Sequence, residues 1–400
     1  MGSRLSTPHP ASAVRLLCGG AEFFPALMEA LDNAQDEIWL ETYIFDFTAV
    51  GETVARALMR AAQRGVAVRL VVDGAGTGAL PKAWAERLTQ AGVQWRVFSP
   101  LNFWSVFGFW QPSRWRRLHR KLCAVDGRVA FCGGINIIDD HIDLQTPHRL
   151  DAPRLDYAVR IEGGALVDAV QDTMRQLWVR QDVVQELRER DVRGAIEALR
   201  QRHSVRLPTG GHARLLLRDN VRYRASIERT YRRAIGLARH DILIACAYFF
   251  PGRRLRRALE QAALRGVRVR LLLQGHYEYF LPYRAARQLY GQLLQAGVEI
   301  HEYHASFLHA KVAVVDGRWA TVGSSNLDPL SLLLAREANV VVRDETFART
   351  LAERVEQAMH AGATAIDPQA YAQRPVWQRV VDAWASGVLR LGVFLTGMRY

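Results

Sequence analysis

The sequence predicts an α/β fold made of two similar halves, each an α/β sandwich in which helices flank a mixed β-sheet. Short runs of Val, Ile and Leu alternate with Ala-, Arg- and Leu-rich helical stretches along the 400 residues. The same order of sequence blocks occurs twice. Each half also contains an Asp-Gly dipeptide between two apolar runs, which is typical of a β-hairpin. Two such halves can pack about a pseudo-twofold axis, which would bring equivalent loops together in one shared site.

The repeat defines the predicted domain organisation. Its matching blocks are residues 36–45 with 240–249, 64–74 with 265–275, and 90–93 with 295–298. A charged helical stretch and a Pro/Gly-containing segment separate the halves. We therefore expect a flexible tail (1–12), a first half (13–180), a helical linker (181–211), a second half (212–360) and a C-terminal tail (361–400).

The composition restricts the class of partner. The net charge is +13 and the isoelectric point is about 10.0, which favours nucleic acid, an acidic membrane surface or a phosphate-bearing substrate. No run of about 18 apolar residues occurs, so an integral membrane protein is not expected. The four cysteines lack metal-ligand spacing and are expected to be buried thiols, and we predict neither a metal nor a cofactor.

Lysine is unusually rare in this basic chain. It occurs only at Lys82, Lys121 and Lys311, whereas arginine supplies nearly all of the positive charge. Lys121 and Lys311 occupy equivalent positions of the repeat. A lysine ammonium is a compact point charge, unlike the planar guanidinium of arginine, so this pattern indicates a site that requires such a charge.

Each half carries one copy of a His-x-Lys-x4-Asp motif. The two copies are His119, Lys121 and Asp126, and His309, Lys311 and Asp316. Alternation of side chains along a strand places the histidine and lysine of each copy on one face. If the Asp126-Gly127 pair is a two-residue turn, Lys121 lies opposite Cys132 and small residues lie opposite both histidines. Such a space could hold a bound group.

This combination of residues suits a phosphodiester. The lysines, with Asn136 and Asn326 just past the following strands, can bind the non-bridging oxygens and stabilise transition-state charge. One neutral histidine can attack phosphorus and form a phosphohistidine, while the other, protonated, donates to the leaving oxygen. Because the two histidines need opposite protonation states, we expect a bell-shaped pH dependence.

Four acids have different predicted roles. Asp126 and Asp316 lie at the turns and are expected to fix the hairpins rather than contact phosphate. A nucleophilic imidazole needs a partner on its other nitrogen. Asp156 and Glu337 occupy matching places before the next strand and are the candidates for orienting the histidines. The alternative is that these two are solvated acids at strand starts.

The duplicated motif resembles that of the phospholipase D superfamily, over about residues 13 to 360. Within the superfamily, the chain most resembles bacterial cardiolipin synthases. The segments that carry this likeness are residues 118–121, 133–136, 247–252 and 322–331. The resemblance implies transfer of a phosphatidyl group from one phosphatidylglycerol to the hydroxyl of another, with release of glycerol. It also implies that His119 is the nucleophile and His309 the acid and base, without a metal.

Such synthases often begin with two transmembrane helices, which this chain does not show, so it resembles a shorter type. We therefore expect a peripheral protein on the cytoplasmic face of the cell membrane, bound to phospholipid substrates and an anionic surface. Neither nucleic acid nor an obligate protein partner is expected. Two segments could contact lipid, an aromatic- and arginine-rich insertion over 103–117 and an amphipathic helix in 376–391. Either could instead pack on the protein.

Two other activities are compatible with the motif. A phospholipase D would pass the same covalent intermediate to water and release phosphatidic acid. A nuclease of the superfamily would suit the basic charge, although no nucleic-acid-binding module is evident.

Overall fold

The computed structural model describes most of the chain. It covers residues 12–100, 117–143, 149–188, 211–219, 223, 225–276, 280–328 and 335–395. The predicted N-terminal tail up to residue 11, the aromatic insertion up to residue 116 and linker residues 189–210 lie outside the described residues.

The first half is a mixed sheet of seven strands with helices on both faces. Its elements are β1 (Ala13–Cys18), α1 (Gly19–Asp32), β2 (Glu37–Thr42), α2 (Ala49–Gln63), β3 (Ala67–Asp73), α3 (Lys82–Gln90), β4 (Gln94–Phe98), β5 (Arg117–Leu118), β6 (Lys121–Val125), β7 (Val129–Gly133), β8 (Tyr157–Glu162) and α4 (Gly164–Arg188). The strand order of this sheet is β1-β8-β7-β6-β2-β3-β4, and β5 joins the sheet of the second half. β2, β3 and β4 are parallel, and the other pairs are antiparallel.

The second half repeats this plan. Its elements are β9 (Ala213–Arg218), α5 (Ser226–Leu237), β10 (Asp241–Cys246), α6 (Arg253–Leu264), β11 (Arg268–Gln274), α7 (Phe280–Gln295), β12 (Glu299–Tyr303), β13 (Lys311–Val315), β14 (Trp319–Gly323), β15 (Ala335–Val342), α8 (Glu345–Gly362), β16 (Ala363–Ala365), α9 (Pro368–Ala372) and α10 (Val376–Leu395). The order is β16-β12-β11-β10-β13-β14-β15-β5, with β9 also on β15. The predicted fold class is confirmed.

The two halves exchange backbone contacts at the site. β5 of the first half pairs with β15 of the second, and the His119 amide donates to the Arg336 carbonyl at 3.1 Å. Reciprocally, Leu155 bridges Leu308 in parallel, and the His309 amide donates to the Leu155 carbonyl at 2.8 Å. A buried apolar cluster shared by both halves lies beneath these contacts. Each motif histidine is therefore anchored to the backbone of the opposite half.

The predicted hairpin register is wrong by one residue. Lys121 pairs with Gly133 and not with Cys132. The loop contains three residues, 126–128, rather than two, and the corresponding loop of the second half is equally long. The motif aspartates adopt positive φ angles of 52° and 51°, in the left-handed region that Asp tolerates better than most residues.

The predicted domain limits differ from the observed elements at two places. α4 continues through residue 180 to Arg188, so the expected boundary falls within a helix. The expected C-terminal tail contributes β16 to the second sheet, and α10 packs on α7. In the described part of the chain, every helix is too short or too polar to cross a membrane.

Candidate active site

The two motifs lie where the parallel strands of each sheet end. Lys121 begins β6, whose next residue, Leu122, pairs with Glu41 near the end of β2. Lys311 begins β13 and pairs with Cys246, the last residue of β10. The carboxyl ends of parallel strands are where α/β sheets commonly hold ligands.

His119 contacts an acid of the opposite half. Its Nδ1 lies 3.0 Å from Oε1 and 3.2 Å from Oε2 of Glu337, which is fully buried. The Ser324 hydroxyl also donates to the Glu337 carboxylate, and the Ala338 amide donates to Ser324 Oγ at 3.1 Å. This network fixes the position of the carboxylate. Nδ1 of His119 is engaged with it, so Nε2 is the ring nitrogen that can face a substrate.

His309 makes the reciprocal contact. Its Nδ1 lies 2.6 Å from Oδ2 of Asp156, a buried residue whose Oδ1 accepts from the Tyr157 amide at 2.8 Å. Gly134 stands at the place that Ser324 occupies in the second half. A Cβ at Gly134 would lie 2.2 Å from Asp156 Oδ1, so the carboxylate uses the space that a side chain would need.

Both lysines are buried beside their histidines. Lys121 Nζ donates to the His119 carbonyl at 2.7 Å, and Lys311 Nζ donates to the His309 carbonyl. Burial lowers the pKa of Lys121 to about 7, against the attraction of Glu337. When both are protonated, two buried ammonium groups attract an anion strongly.

Burial also changes the protonation of the other groups. It lowers the pKa of His119, although Glu337 opposes this shift. Burial lowers the pKa of His309 well below its usual value, and Lys311 and Lys121 add to the effect. The Asp156 pKa is raised to about 7 by burial, despite the nearby Lys311. The charges that act on these groups come from both halves, so the two motifs share one electrostatic environment.

The asparagines predicted to bind phosphate are both buried just past β7 and β14. Asn136 Oδ1 accepts from the Ile44 amide at 3.1 Å. Asn326 Oδ1 has no hydrogen-bond partner among the described residues. Oδ1 of Asn136 is thus engaged with the backbone, and its amide nitrogen is the group that can donate.

The motif aspartates lie away from the histidines. Asp316 accepts from the backbone amides of Arg239, His240 and Asp241 at 2.8–3.0 Å. Asp126 likewise accepts from the backbone amides of residues 35–37, which lead into β2. Both carboxylates thus tie the hairpin loop to the start of a neighbouring strand.

Two further side chains at the site, Tyr43 and Asp73, were not among the predicted residues. The Tyr43 ring lies 4.9 Å from the His119 ring and 5.4 Å from Lys121 Nζ. Asp73 Oδ2 accepts from the Leu118 amide at 2.7 Å and so positions the residue before His119. Tyr43 follows the end of β2 and Asp73 ends β3, so the rule for strand ends would have found both.

Within the described residues, no group of three or more His, Cys, Asp or Glu side chains could hold a metal ion. Two carboxylates at the site, Asp156 and Glu337, each contact a motif histidine.

A family model described as "Cardiolipin synthase, PLD-like domain" matches residues 27–178 and 231–359. The chain is also 38% identical over 386 residues to cardiolipin synthase B of Salmonella typhi, across 94% of this chain and 87% of that protein. The chain belongs to the cardiolipin synthase family. A probable cardiolipin synthase of Bacillus subtilis is 31% identical across 94% of this chain and 72% of that protein. This confirms the resemblance identified from the sequence.

Solved structures show the same fold. The phosphatidylserine synthase of Haemophilus influenzae superposes with a TM-score of 0.69 at 15% identity, covering 97% of this chain and 96% of that chain. At this identity the likeness concerns the fold alone. Family membership makes this chain a phosphatidyltransferase of the phospholipase D superfamily.

Proposed function

We propose that the protein transfers a phosphatidyl group from one phosphatidylglycerol to the hydroxyl of a second and releases glycerol. The observation that carries this proposal is the exchange of partners, in which each motif histidine contacts a buried carboxylate of the opposite half. Two half-sites joined in this way supply one nucleophile and one acid for a single phosphodiester. The cardiolipin synthase relatives support the choice of lipid substrate.

The first step forms a covalent intermediate. Neutral His119 attacks phosphorus through Nε2, and the bond from phosphorus to the glycerol oxygen breaks. His309 donates a proton to that oxygen, so glycerol leaves as a neutral alcohol. The lowered pKa of His119 supports its role as the neutral nucleophile.

The second step reverses the first with a different alcohol. His309, now neutral, takes the proton from the hydroxyl of a second phosphatidylglycerol, and the alcohol oxygen attacks phosphorus. The bond from phosphorus to nitrogen breaks and restores His119. The Nδ1 contacts with Glu337 and Asp156 would stabilise the positive charge that each imidazole carries in turn.

Lys121, Lys311, Asn136 and Asn326 are proposed to bind the phosphate oxygens. The two lysines are buried, so they would attract the phosphate more strongly than surface cations do. The bound phosphate would in turn favour protonation of His309, whose pKa is lowered in the free protein by burial and by the same lysines. Substrate binding would thereby prepare the general acid.

The lipid substrates place this reaction at a membrane surface. We propose peripheral association with the cytoplasmic face of the cell membrane. The charge of +13 supports attraction to anionic lipid there. The aromatic insertion, which lies outside the described residues, remains a proposed contact.

A product assay tests the proposal. Purified protein is incubated with phosphatidylglycerol vesicles in the presence of a chelator, and the lipids and free glycerol are quantified. Equal amounts of cardiolipin and glycerol are expected. Phosphatidic acid without cardiolipin would instead indicate a phospholipase, and cleavage of labelled DNA without lipid turnover would indicate a nuclease.

The roles of the histidines need separate measurements. His119→Ala and His309→Ala should both abolish turnover, whereas His360→Ala, at an exposed position on α8, should not. A rapidly quenched reaction should carry the phosphatidyl group on His119 by peptide mass spectrometry. An adduct on His309 would reverse the proposed roles, and full activity in either alanine variant would refute the shared site.

A further inference from the structure

Helix α10 is docked with its polar side inward. Asp382 is 1% exposed, and its carboxylate pairs with Arg284 of α7 at 3.2 Å and with Arg374 at 3.3 Å. Ser386, one turn further along, is also buried. These contacts determine which side of the helix faces the protein, since releasing a buried carboxylate from both arginines would be costly.

The opposite side of α10 is apolar and exposed. We name it the α10 ridge, and it consists of Val376, Trp377, Val380, Trp384 and Leu391, each 58–70% exposed. Phe280, at the start of α7, is 40% exposed and lies 6.4 Å from the Trp384 ring. These six account for most of the large apolar side chains that are exposed in the described part of the chain. Such concentration marks an interaction surface.

An arginine-lined cleft adjoins the ridge. It has a volume of about 310 Å³ and lies between the first turns of α6, the middle of α7 and Arg390 of α10. Arg253, Arg256 and Arg257 line its α6 side. Arg256 pairs with Glu260 at 3.4 Å, whereas Arg253, Arg257 and Arg390 have no acidic partner among the described residues. The cleft therefore holds uncompensated positive charge at a helix N-terminus.

The cleft lies on the side of the second sheet that carries the active site. α6 begins just after β10, whose last residue, Cys246, pairs with Lys311. The connecting segment pairs with the loop that holds Asn326, through the Phe250 amide and the Leu327 carbonyl at 2.8 Å. A surface bound at the cleft would thus be close to the elements that build the catalytic centre.

We propose that the α10 ridge inserts into the interface of an anionic phospholipid bilayer while the arginine cleft binds the phosphate of a lipid headgroup. This inference rests on the proposed function, because it assigns the surface by which the enzyme reaches its substrate. Exposed tryptophans flanked by arginines suit a bilayer interface, where rings lie at headgroup depth and cations meet anionic phosphate. The uncompensated charge of the cleft matches the charge of that surface.

Co-sedimentation with vesicles tests the ridge and the cleft separately. Wild-type protein should bind vesicles of phosphatidylglycerol and phosphatidylcholine more tightly than vesicles of phosphatidylcholine alone. Trp377→Ser/Trp384→Ser should weaken binding to both kinds of vesicle. Arg253→Glu/Arg257→Glu should weaken binding about tenfold or more, and only where phosphatidylglycerol is present.

Matched variants control for composition. Leu237→Ser/Leu264→Ser removes two equally exposed apolar side chains elsewhere, and Arg229→Glu/Arg233→Glu reverses two exposed charges on α5. Both controls should bind as wild type does. The inference would be overturned if the ridge and cleft variants bound as tightly as wild type, or if the controls lost as much binding as those variants.

Turnover in detergent micelles separates this inference from the proposed function. With saturating phosphatidylglycerol in micelles, the ridge and cleft variants should reach the wild-type kcat, because the catalytic residues are unchanged, and any loss should appear in KM. If wild-type protein made no cardiolipin in micelles, the proposed function would fail, and the vesicle measurements would still decide the docking surface.

Discussion

His119 Nδ1 lies 3.0 Å from Glu337 Oε1, although 218 residues separate them in the chain. In the reciprocal pair, with the halves exchanged, His309 Nδ1 lies 2.6 Å from Asp156 Oδ2. Neither half therefore contains a complete His–carboxylate pair. The two His–carboxylate contacts therefore form only when both halves are folded together.

Replacing the buried acceptor tests the importance of this contact. Glu337→Gln keeps the shape of the side chain but removes the charge that would stabilise an imidazolium. We expect kcat to fall about 100-fold to 10,000-fold, with a smaller change in KM, because the contact matters most when His119 carries positive charge. Steady-state kinetics with Glu353→Gln, at an exposed site on α8, as the control measures this. A change in KM alone would contradict a positioning role.

The motif aspartates should affect stability rather than chemistry. Asp316→Ala removes an acceptor of three backbone hydrogen bonds, and we expect a loss of about 1–3 kcal/mol in the free energy of unfolding. Burial by itself would raise the pKa of Asp316, but the three backbone amides outweigh it, and the pKa is lowered. Its contribution should therefore be complete above about pH 4 and decline as the pH falls through the folded-state pKa.

This prediction is checked by measuring the free energy of unfolding of Asp316→Ala and of His309→Ala in denaturant titrations. The histidine variant should lose activity but keep most of its stability. An Asp316→Ala protein that is fully folded yet inactive would show that the aspartate takes part in the reaction.

The sheets were predictable because their signals are local. Buried strands are continuous apolar runs, and an Asp-Gly pair identifies each hairpin. The register was missed by one residue because an Asp-Gly pair does not reveal whether the loop has two residues or three. The positions of Asp156 and Glu337 in the repeat identified them as candidates, but only the packing of the halves determines which histidine each contacts.

The orientation of α10 could not be read from its periodicity. The pattern separates Trp384 and Val380 from Asp382 and Ser386, but it does not say which side is buried. Ordinarily the apolar side would face the protein. Here Arg284 on α7 and Arg374, just before α10, pair with Asp382 and reverse the usual arrangement.

The free enzyme should show a bell-shaped dependence of kcat/KM on pH, with both limbs near pH 7. Asp156 has a pKa raised to about 7, so below that pH it is protonated and no longer offers a negative charge to His309. Lys121 has a pKa lowered to about 7, so above that pH it loses the charge that attracts phosphate. Initial rates in micelles from pH 5 to pH 9, about two units on each side, measure the profile.

Lys121→Arg provides a check on the alkaline limb. Arginine keeps its charge throughout this range, so the limb should move to higher pH even though the altered geometry lowers the maximum. An unchanged alkaline limb would assign it to a group other than Lys121.

Gly134 should be more sensitive to substitution than its counterpart Ser324. Its backbone is not left-handed, so an added Cβ acts mainly through its contact with Asp156, whose Oδ1 would lie at 2.2 Å. Gly134→Ala should push this carboxylate away from His309 and lower kcat about 100-fold. Ser324→Ala removes one donor to Glu337 without adding volume, so its effect should be smaller. Gly236→Ala, on α5 with open space around it, is the control and should leave kcat unchanged. Equal activities in Gly134→Ala and Gly236→Ala would show that the His309–Asp156 contact is not needed for turnover.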